Sequence, residues 1–220
     1  MTKISDNSFI NFSDKDFIMI TTTSLFNNNF QDLLKKFNLN NNVISEVNQV
    51  HSNDIVISDD FKKKYKADGM NSKNDNLALK ISTADCIPIF IHNTKNLYGL
   101  IHAGWRGVVK EIHLRALDKF MKLGVDIDEI KIIMGPMIQN CCFEIKDDII
   151  DNFKSKYIIN RDHFKTVDLS AIVIDDLCEQ GIIKKNIFSS DICSFHDERC
   201  YSYRKNKTEN RMYSIIAKRS

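Results

Sequence analysis

A single mixed-sheet domain of the α/β or α+β class is what the sequence predicts, on three observations. Short apolar, β-branched runs recur along the chain, most links between them are of hairpin length, and only a few are long enough to hold an amphipathic helix. At 220 residues the chain can bury one sizeable core, so one domain over 1–220 is expected rather than two small ones. No internal repeat, linker or low-complexity segment interrupts the pattern.

Phe17 to Thr23 is β-branched and apolar and reads as a strand. Phe30, Leu33, Leu34 and Phe37 then fall at helical spacing, with Asn27 to Asn29 as cap candidates and Asn38 to Asn42 as the closing loop. Val43 to Val50 and Ile55 to Ile57 read as strands, which leaves His51 in the turn between them. Leu77 to Ile81, Ile87 to Ile91 and Leu97 to Ile101 are short and apolar enough to be buried strands. From Gly104 the period changes to 3.6, and Val108, Val109, Ile112, Ala116, Leu117, Phe120 and Met121 predict one amphipathic helix ending at Gly124. Ile130 to Met134 predicts a strand, Lys146 to Phe153 a short helix, and Asp168 caps a helix that runs through Gln180 to Gly181. Ile187 to Asp191, Cys200 to Arg204 and Met212 to Ala217 read as the last strands.

Charge argues against a polyanionic partner. The 31 basic and 29 acidic residues are spread along the chain, so neither nucleic acid nor an anionic membrane is expected to bind, and Lys62-Lys63-Lys64 reads as solvated surface. Met1 to Ile10 lacks an apolar h-region and no apolar stretch is long enough to span a bilayer, which predicts a soluble, cytoplasmic protein, monomeric or homodimeric. Six cysteines in such a chain, two of them adjacent at Cys141-Cys142, suit free or metal-bound thiols better than a disulfide framework.

Residues 82 to 107 carry most of the chemistry. Asp85-Cys86 stands before one apolar run, and His102 ends the next, followed by Gly104-Trp105-Arg106-Gly107. Taken singly, Cys86 is an ordinary small buried hydrophobe, His102 a histidine hydrogen-bonded between strand and helix, and His51 a surface turn residue. Taken together, one thiolate and two imidazoles are the ligand set of a zinc site that keeps an open fourth position. His92 and His113 compete for the role, but one sits near the end of an apolar run and the other within the amphipathic helix, where structural roles are expected. No Cys-x-x-Cys or His-x-x-x-His pair is present to close a structural zinc site. The helix start at Gly104 to Gly107 can hold an oxyanion, and Arg106 can add a bidentate contact. Asp68 and Asp85 read as carboxylates behind the ligands or as turn residues, Cys141-Cys142 as lining or packing, and Arg204 and Arg211 as secondary contacts for an anionic group.

In order along the chain stand Gln49-Val50-His51, Ala67-Asp68-Gly69, Thr83-Ala84-Asp85-Cys86-Ile87-Pro88, His102-Ala103-Gly104-Trp105-Arg106-Gly107, Gly135-Pro136 with Cys141-Cys142-Phe143-Glu144, and Tyr201-Ser202-Tyr203-Arg204. With these motifs the chain resembles the YfiH-like laccase-domain family, described as purine nucleoside phosphorylases and formerly as polyphenol oxidases. The resemblance implies an αββα layered sandwich and a zinc ion on His51, Cys86 and His102. It also implies phosphorolysis of adenosine, inosine, guanosine and methylthioadenosine to free base and ribose 1-phosphate, with adenosine deamination beside it. Arg106, Gly107, Asp68 and Arg204 are then candidates for substrate or phosphate contact, Arg106 with a catalytic role. The chain departs from the family where a Thr-Arg and Gly-Gly stretch is usual and Thr21-Thr22-Thr23-Ser24-Leu25 stands instead, which alters the pocket wall expected from Thr21 to Asn29. It departs again at Asn210-Arg211, where Gly-Arg is usual. Three rival readings remain: a copper-dependent polyphenol oxidase, for which six histidines are few; an amidase built on a metal-free Cys86–His102 pair; and a non-catalytic interaction protein in which the metal clips loops together.

Overall fold

The computed structural model of the chain describes residues 7–58, 65–94 and 96–219, so the Lys62-Lys63-Lys64 run lies outside the described residues. In chain order the elements are β1 (Phe9–Asn11), β2 (Phe17–Thr22), α1 (Phe30–Lys36), β3 (Val43–Glu46), β4 (Ile55–Ile57), β5 (Gly69–Ser72), β6 (Leu77–Thr83), β7 (Ile87–His92) and β8 (Tyr98–Ala103). There follow α2 (Trp105–Val109), α3 (Ile112–Lys122), β9 (Lys131–Met134), β10 (Glu144–Ile145), α4 (Asp147–Ile150), β11 (Ile158–Asn160), β12 (Lys165–Val167), α5 (Leu169–Glu179), β13 (Ile187–Ser189), α6 (Tyr203–Asn206) and β14 (Met212–Lys218). One sheet has the order β1-β2-β14-β6-β3, a second the order β13-β9-β7-β8-β5-β4, and a small third sheet the order β10-β12-β11. Both large sheets are mixed: β3 runs parallel to β6, β4 to β5, and β13 to β9, while the other pairs are antiparallel.

The layers follow from which residues share a cluster. Phe17, Met19, Leu79 and Ile81 of the first sheet pack with Phe90, Tyr98 and Leu100 of the second. The alternate residues Ile18, Ile20 and Ala78 pack outward against Leu33, Leu34 and Phe37 of the α1 region. On the far side, Ile89, Ile91 and Ile101 pack against Ile112, Ala116 and Phe120 of α3 and join Val173 and Leu177 of α5. This is the αββα sandwich, and it explains why β2, β7 and β8 are buried at every position and read as continuous apolar runs rather than alternating ones.

Most expected elements are present, and the differences have local causes. The helix expected from Gly104 to Gly124 is two helices, because Glu111 adopts a left-handed φ of 60° between α2 and α3. The apolar stripe continues across that break through Val108 and Ile112, so periodicity does not register it. The strand expected at Cys200 to Arg204 is instead the start of α6, where the Ser202 side chain accepts the Lys205 N–H. The strand from Val43 stops at Glu46, and Gln49 takes over beyond it: its amide donates to Ser82 O and accepts from Ser82 N, each at 2.8 Å. That side chain mimics a strand partner and ties the His51 loop to the end of β6. Strands β1, β5, β10, β11 and β12, each of four residues or fewer, carry too little periodicity to be read from sequence.

The chain passes from one sheet to the other between β6 and β7, through Ala84, Asp85 and Cys86. The antiparallel register of β7 with β8 pairs Ile87 with Ala103, so Cys86 and Gly104 leave the sheet side by side. Asp68 precedes β5 and pairs across to His102, whose N–H donates to Asp68 O at 2.7 Å. One end of the sandwich thereby collects every residue of the site. Its inter-sheet core is a rigid support, and Phe90, fully buried at the interface, is the most direct probe. Phe90→Ala is expected to cost about 3–5 kcal/mol, read as a lower denaturant midpoint with unchanged slope.

Candidate metal centre and cleft

Asp68 is completely buried, yet its carboxylate has five hydrogen-bond partners. The backbone N–H groups of Val50, His51 and Ser52 donate to it at 3.2, 3.0 and 2.6 Å, and the Ser52 hydroxyl donates at 3.0 Å. His102 Nδ1 completes the set at 2.8 Å. Burial alone pushes the Asp68 pKa up, but the bonds from His102 and Ser52 outweigh it and hold the carboxyl at about 2. The carboxylate fixes two things at once. It holds the 50–52 turn, in which His51 has a left-handed φ of 57°, and it occupies Nδ1 of His102 so that Nε2 is the nitrogen left to face the cleft.

Cys86 is placed by its neighbour Asp85, whose φ of 86° is a conformation that Asp tolerates better than most residues. The Ser194 hydroxyl donates to one carboxylate oxygen of Asp85 at 2.7 Å and the Arg204 N–H to the other at 2.6 Å. The Asp85 carbonyl accepts the Ile138 N–H at 2.9 Å. These bonds hold the strained turn and turn the half-buried thiol toward the two imidazoles. Burial pushes the Cys86 thiol up, and hydrogen bonds from His102 and His51 outweigh that and bring it down to about 7. Burial likewise depresses His102, and Asp68 and Cys86 outweigh it and raise the ring to about 9. The site therefore eases formation of the thiolate, the form in which cysteine binds metal, relative to an ordinary cysteine.

The donor atoms of His51, Cys86 and His102 all lie within 4.8 Å of one another, and the two rings meet edge-on with centroids 4.9 Å apart. Gly104 leaves the room they need: a Cβ there would stand 3.0 Å from Cys86 Sγ and 3.2 Å from His51 Cδ2. One thiolate and two imidazoles around a space free of side chain suit a four-coordinate metal with one position open. His92 and His113 are elsewhere. His92 is buried against Phe17, with ring centroids 4.7 Å apart, and burial depresses its pKa to about 4; His113 Nε2 pairs with Asp176 at 2.9 Å and joins α3 to α5.

The three donors open onto a cleft of about 670 Å³. Arg106, Arg204, Lys207 and Arg211 line it, against the single carboxylate of Asp85, while Val47, Trp105, Ile138 and Phe143 supply apolar wall. The Arg106 guanidinium stacks on Trp105 at 4.5 Å and that of Arg204 lies over Phe143 at 5.3 Å while bonding Glu144 O. Asp68 and Gly107 do not line the cleft: Asp68 stands behind the histidines, and a Cβ at Gly107 would stand 3.3 Å from Ser52 O. The Thr21 to Asn29 segment borders a separate cleft of about 100 Å³ through Thr22, Thr23, Phe26 and Asn28, sharing only Arg211 with the main one. Sequence reasoning missed Gln49, Lys207 and Tyr203 in the main cleft. Gln49 lay within a motif already singled out, whereas nothing in the pattern pointed to Lys207.

Fold and site together define a mixed-sheet sandwich with a histidine–cysteine cluster that could hold a metal ion at one end. The chain belongs to the family described as multi-copper polyphenol oxidoreductase laccase, whose model matches residues 22–219. It is similar to the purine nucleoside phosphorylase of Borreliella burgdorferi, with 29% identity over 91% of this chain and 92% of that protein. An adenosine deaminase, RL5, from an unknown prokaryotic organism is 29% identical over 58% of this chain and 52% of its own length. The crystal structure of the Bacillus licheniformis hypothetical protein YfiH shares the fold, with a TM-score of 0.85 at 21% identity over 98% of both chains. No helix among the described residues is long and apolar enough to cross a membrane.

Asp68→Asn tests the hub. An amide cannot accept all five hydrogen bonds, so the variant is expected to lose metal affinity by about 10–100-fold. Because the Asp68 pKa lies below the ordinary 3.8, its contribution to stability is complete above that pH and drains away as pH falls toward 2. Thermal melts between pH 5 and 2 should therefore fall less steeply in Asp68→Asn than in the parent.

Proposed function

We propose that this chain is a zinc-dependent purine nucleoside phosphorylase, cleaving a nucleoside with phosphate to give free base and ribose 1-phosphate. The observation that carries the reading is the convergence of His51, Cys86 and His102, anchored through Asp68, on a cleft whose charged lining is mainly cationic. A volume of about 670 Å³ falls within the range of small-molecule sites and suits a nucleoside with phosphate beside it. The similarity to a purine nucleoside phosphorylase over almost the whole chain supports the substrate class.

In this reading His51, Cys86 and His102 hold zinc through Nε2, Sγ and Nε2. Zinc bound there supplies a Lewis-acid position that polarises a phosphate oxygen or acidifies a water molecule. Asp68 keeps His102 in the tautomer that presents Nε2. Arg106, held over the Trp105 ring, binds phosphate with the bidentate geometry of a guanidinium, and Arg204, Lys207 and Arg211 offset the rest of its charge. The guanidinium replaces the helix start as the main phosphate contact, because α2 is only five residues long. Apolar wall from Val47, Ile138 and Phe143 excludes water from the purine and the glycosidic bond. The bond from ribose C1′ to the base nitrogen breaks, an oxygen of hydrogen phosphate bonds to C1′, and the base leaves with the proton that the hydrogen phosphate gives up.

Similarity to an adenosine deaminase favours a second activity at the same centre, with water in place of phosphate. Copper-dependent phenol oxidation is disfavoured: among the described residues only two of the six histidines, His51 and His102, converge with Cys86. The test is release of free base from adenosine and inosine with and without phosphate, beside ammonia release from adenosine. Cys86→Ala and His102→Ala are expected to lose the zinc of this centre and both activities together, and Arg106→Gln to raise the KM for phosphate more than that for the nucleoside. Full turnover by metal-free protein would overturn the proposal.

A further inference from the structure

A second group of metal-ligating side chains stands outside the cleft. Cys141, Cys142, Cys193 and His196 bring their donor atoms within 4.8 Å of one another. Cys141 Sγ lies 3.2 Å from Cys142 Sγ and 3.7 Å from Cys193 Sγ, and Cys142 Sγ lies 2.9 Å from His196 Nε2. All four belong to loops, one between β9 and β10 and the other between β13 and α6. None of them lines the cleft.

We propose that these four residues form a structural zinc site, with three thiolates and one imidazole closing a tetrahedral shell. The donor set is the first support: three sulfurs and one nitrogen with no carboxylate select zinc among the common divalent ions, and four protein ligands leave no position for substrate. Contact spacing is the second. Zinc to sulfur is about 2.3 Å, so sulfurs around one tetrahedral ion stand roughly 3.8 Å apart, and the Cys141–Cys193 separation of 3.7 Å already matches.

Backbone preorganisation is the third. Met137 and Cys193 form a parallel bridge between the two loops, with the Ser194 N–H donating to Met137 O at 2.8 Å. The Gln139 amide reaches across to Ser190 O at 2.9 Å, while the Gln139 N–H points at Cys193 Sγ at 3.5 Å. The N–H groups of His196 and Asp197 both donate to Cys193 O, which makes residues 193–196 a tight turn and brings the two ligands of this Cys-x-x-His pair to one side. The loops are thus held in register by bonds that do not need the ion, and the four donors converge as a group. The three cysteines are free of disulfides, and among the described residues no carboxylate belongs to the group.

The placement gives the site a purpose. Ser194, next to Cys193, donates to Asp85, and the Arg204 N–H donates to the other oxygen of the same carboxylate. Phe143 follows Cys142 directly and lines the cleft with Arg204. An ion joining the two loops therefore fastens the wall that holds the Asp85-Cys86 turn. It does so from the outer surface, where Cys141 and His196 are exposed and zinc can enter.

The test is zinc stoichiometry of the purified full chain and of variants that separate the two centres. The expected result is two equivalents in the parent, one in Cys86→Ser, one in His196→Gln and none in the double variant. His196 is exposed, so His196→Gln leaves the core intact, and its circular dichroism should match the parent; Cys193→Ser, at a buried position, is the second variant. Cobalt in Cys86→Ser should give the intense thiolate-to-metal absorption of a three-sulfur tetrahedral site, absent when His196→Gln is added. A metal-free Cys86→Ser protein, unchanged stoichiometry in His196→Gln, or a disulfide among the three thiols in freshly purified protein would overturn the inference. If the parent holds one zinc that survives Cys86→Ser and disappears in His196→Gln, this site stands and the zinc-dependent reading of the cleft falls.

Discussion

The Asp68 carboxylate is the constraint on which the rest of the site depends. It is fully buried, and an ionised carboxylate is tolerated there only because the N–H groups of residues 50–52, the Ser52 hydroxyl and His102 Nδ1 converge on it. Those same bonds draw a loop from after β3 against the end of β8, two parts of the chain about fifty residues apart. His51 and His102 thereby share one anchor, and their relative placement is set by a single side chain. The arrangement makes the centre cooperative: removing the carboxylate releases the loop, the tautomer and the charge balance together.

A second constraint is the crossing between sheets. The αββα sandwich needs the chain to leave β6 in one sheet and enter β7 in the other, and three residues accomplish it. Asp85 absorbs the sharp turn with a positive φ, and bonds from Ser194 and Arg204 hold it. The thiol that follows is aimed at the histidines by the same turn. Function and topology are joined at this point, since a relaxed backbone at Asp85 would move Cys86 away from its partners. Gly104 completes the geometry by leaving open the space beside Cys86 and His51.

Much of this was legible in the sequence, for physical reasons that differ from element to element. Strands buried on both faces read as unbroken apolar runs, so β2, β7 and β8 were visible, as was α5 with Asp168 capping it through the Ala171 N–H. That Cys86 and His102 could meet was visible because they flank such runs, whereas His51 was read only as a turn residue that joins them; the three donors do lie within 4.8 Å of one another. What was not legible depends on tertiary contact. The break at Glu111 hides within a continuous apolar stripe, and the turn at Ser202 wins over strand alternation because Asp85 captures the Arg204 N–H. Asp68 was readable as a carboxylate near the site but not as its hub, since the five donors come from distant segments. Cys193-x-x-His196 escaped notice for the same reason: the pair is spaced as ligands are, but its partners Cys141 and Cys142 lie some fifty residues earlier.

The central claim is that His51, Cys86 and His102 form a metal centre organised by Asp68 and open toward the cationic cleft. Diffraction from crystals of the zinc-loaded protein, recorded on both sides of the zinc absorption edge, addresses it most directly. The account predicts an anomalous peak bonded to His51 Nε2, Cys86 Sγ and His102 Nε2, with its fourth position facing Arg106. A zinc-saturated crystal with no peak at that point, or with the ion held by other side chains, would contradict it.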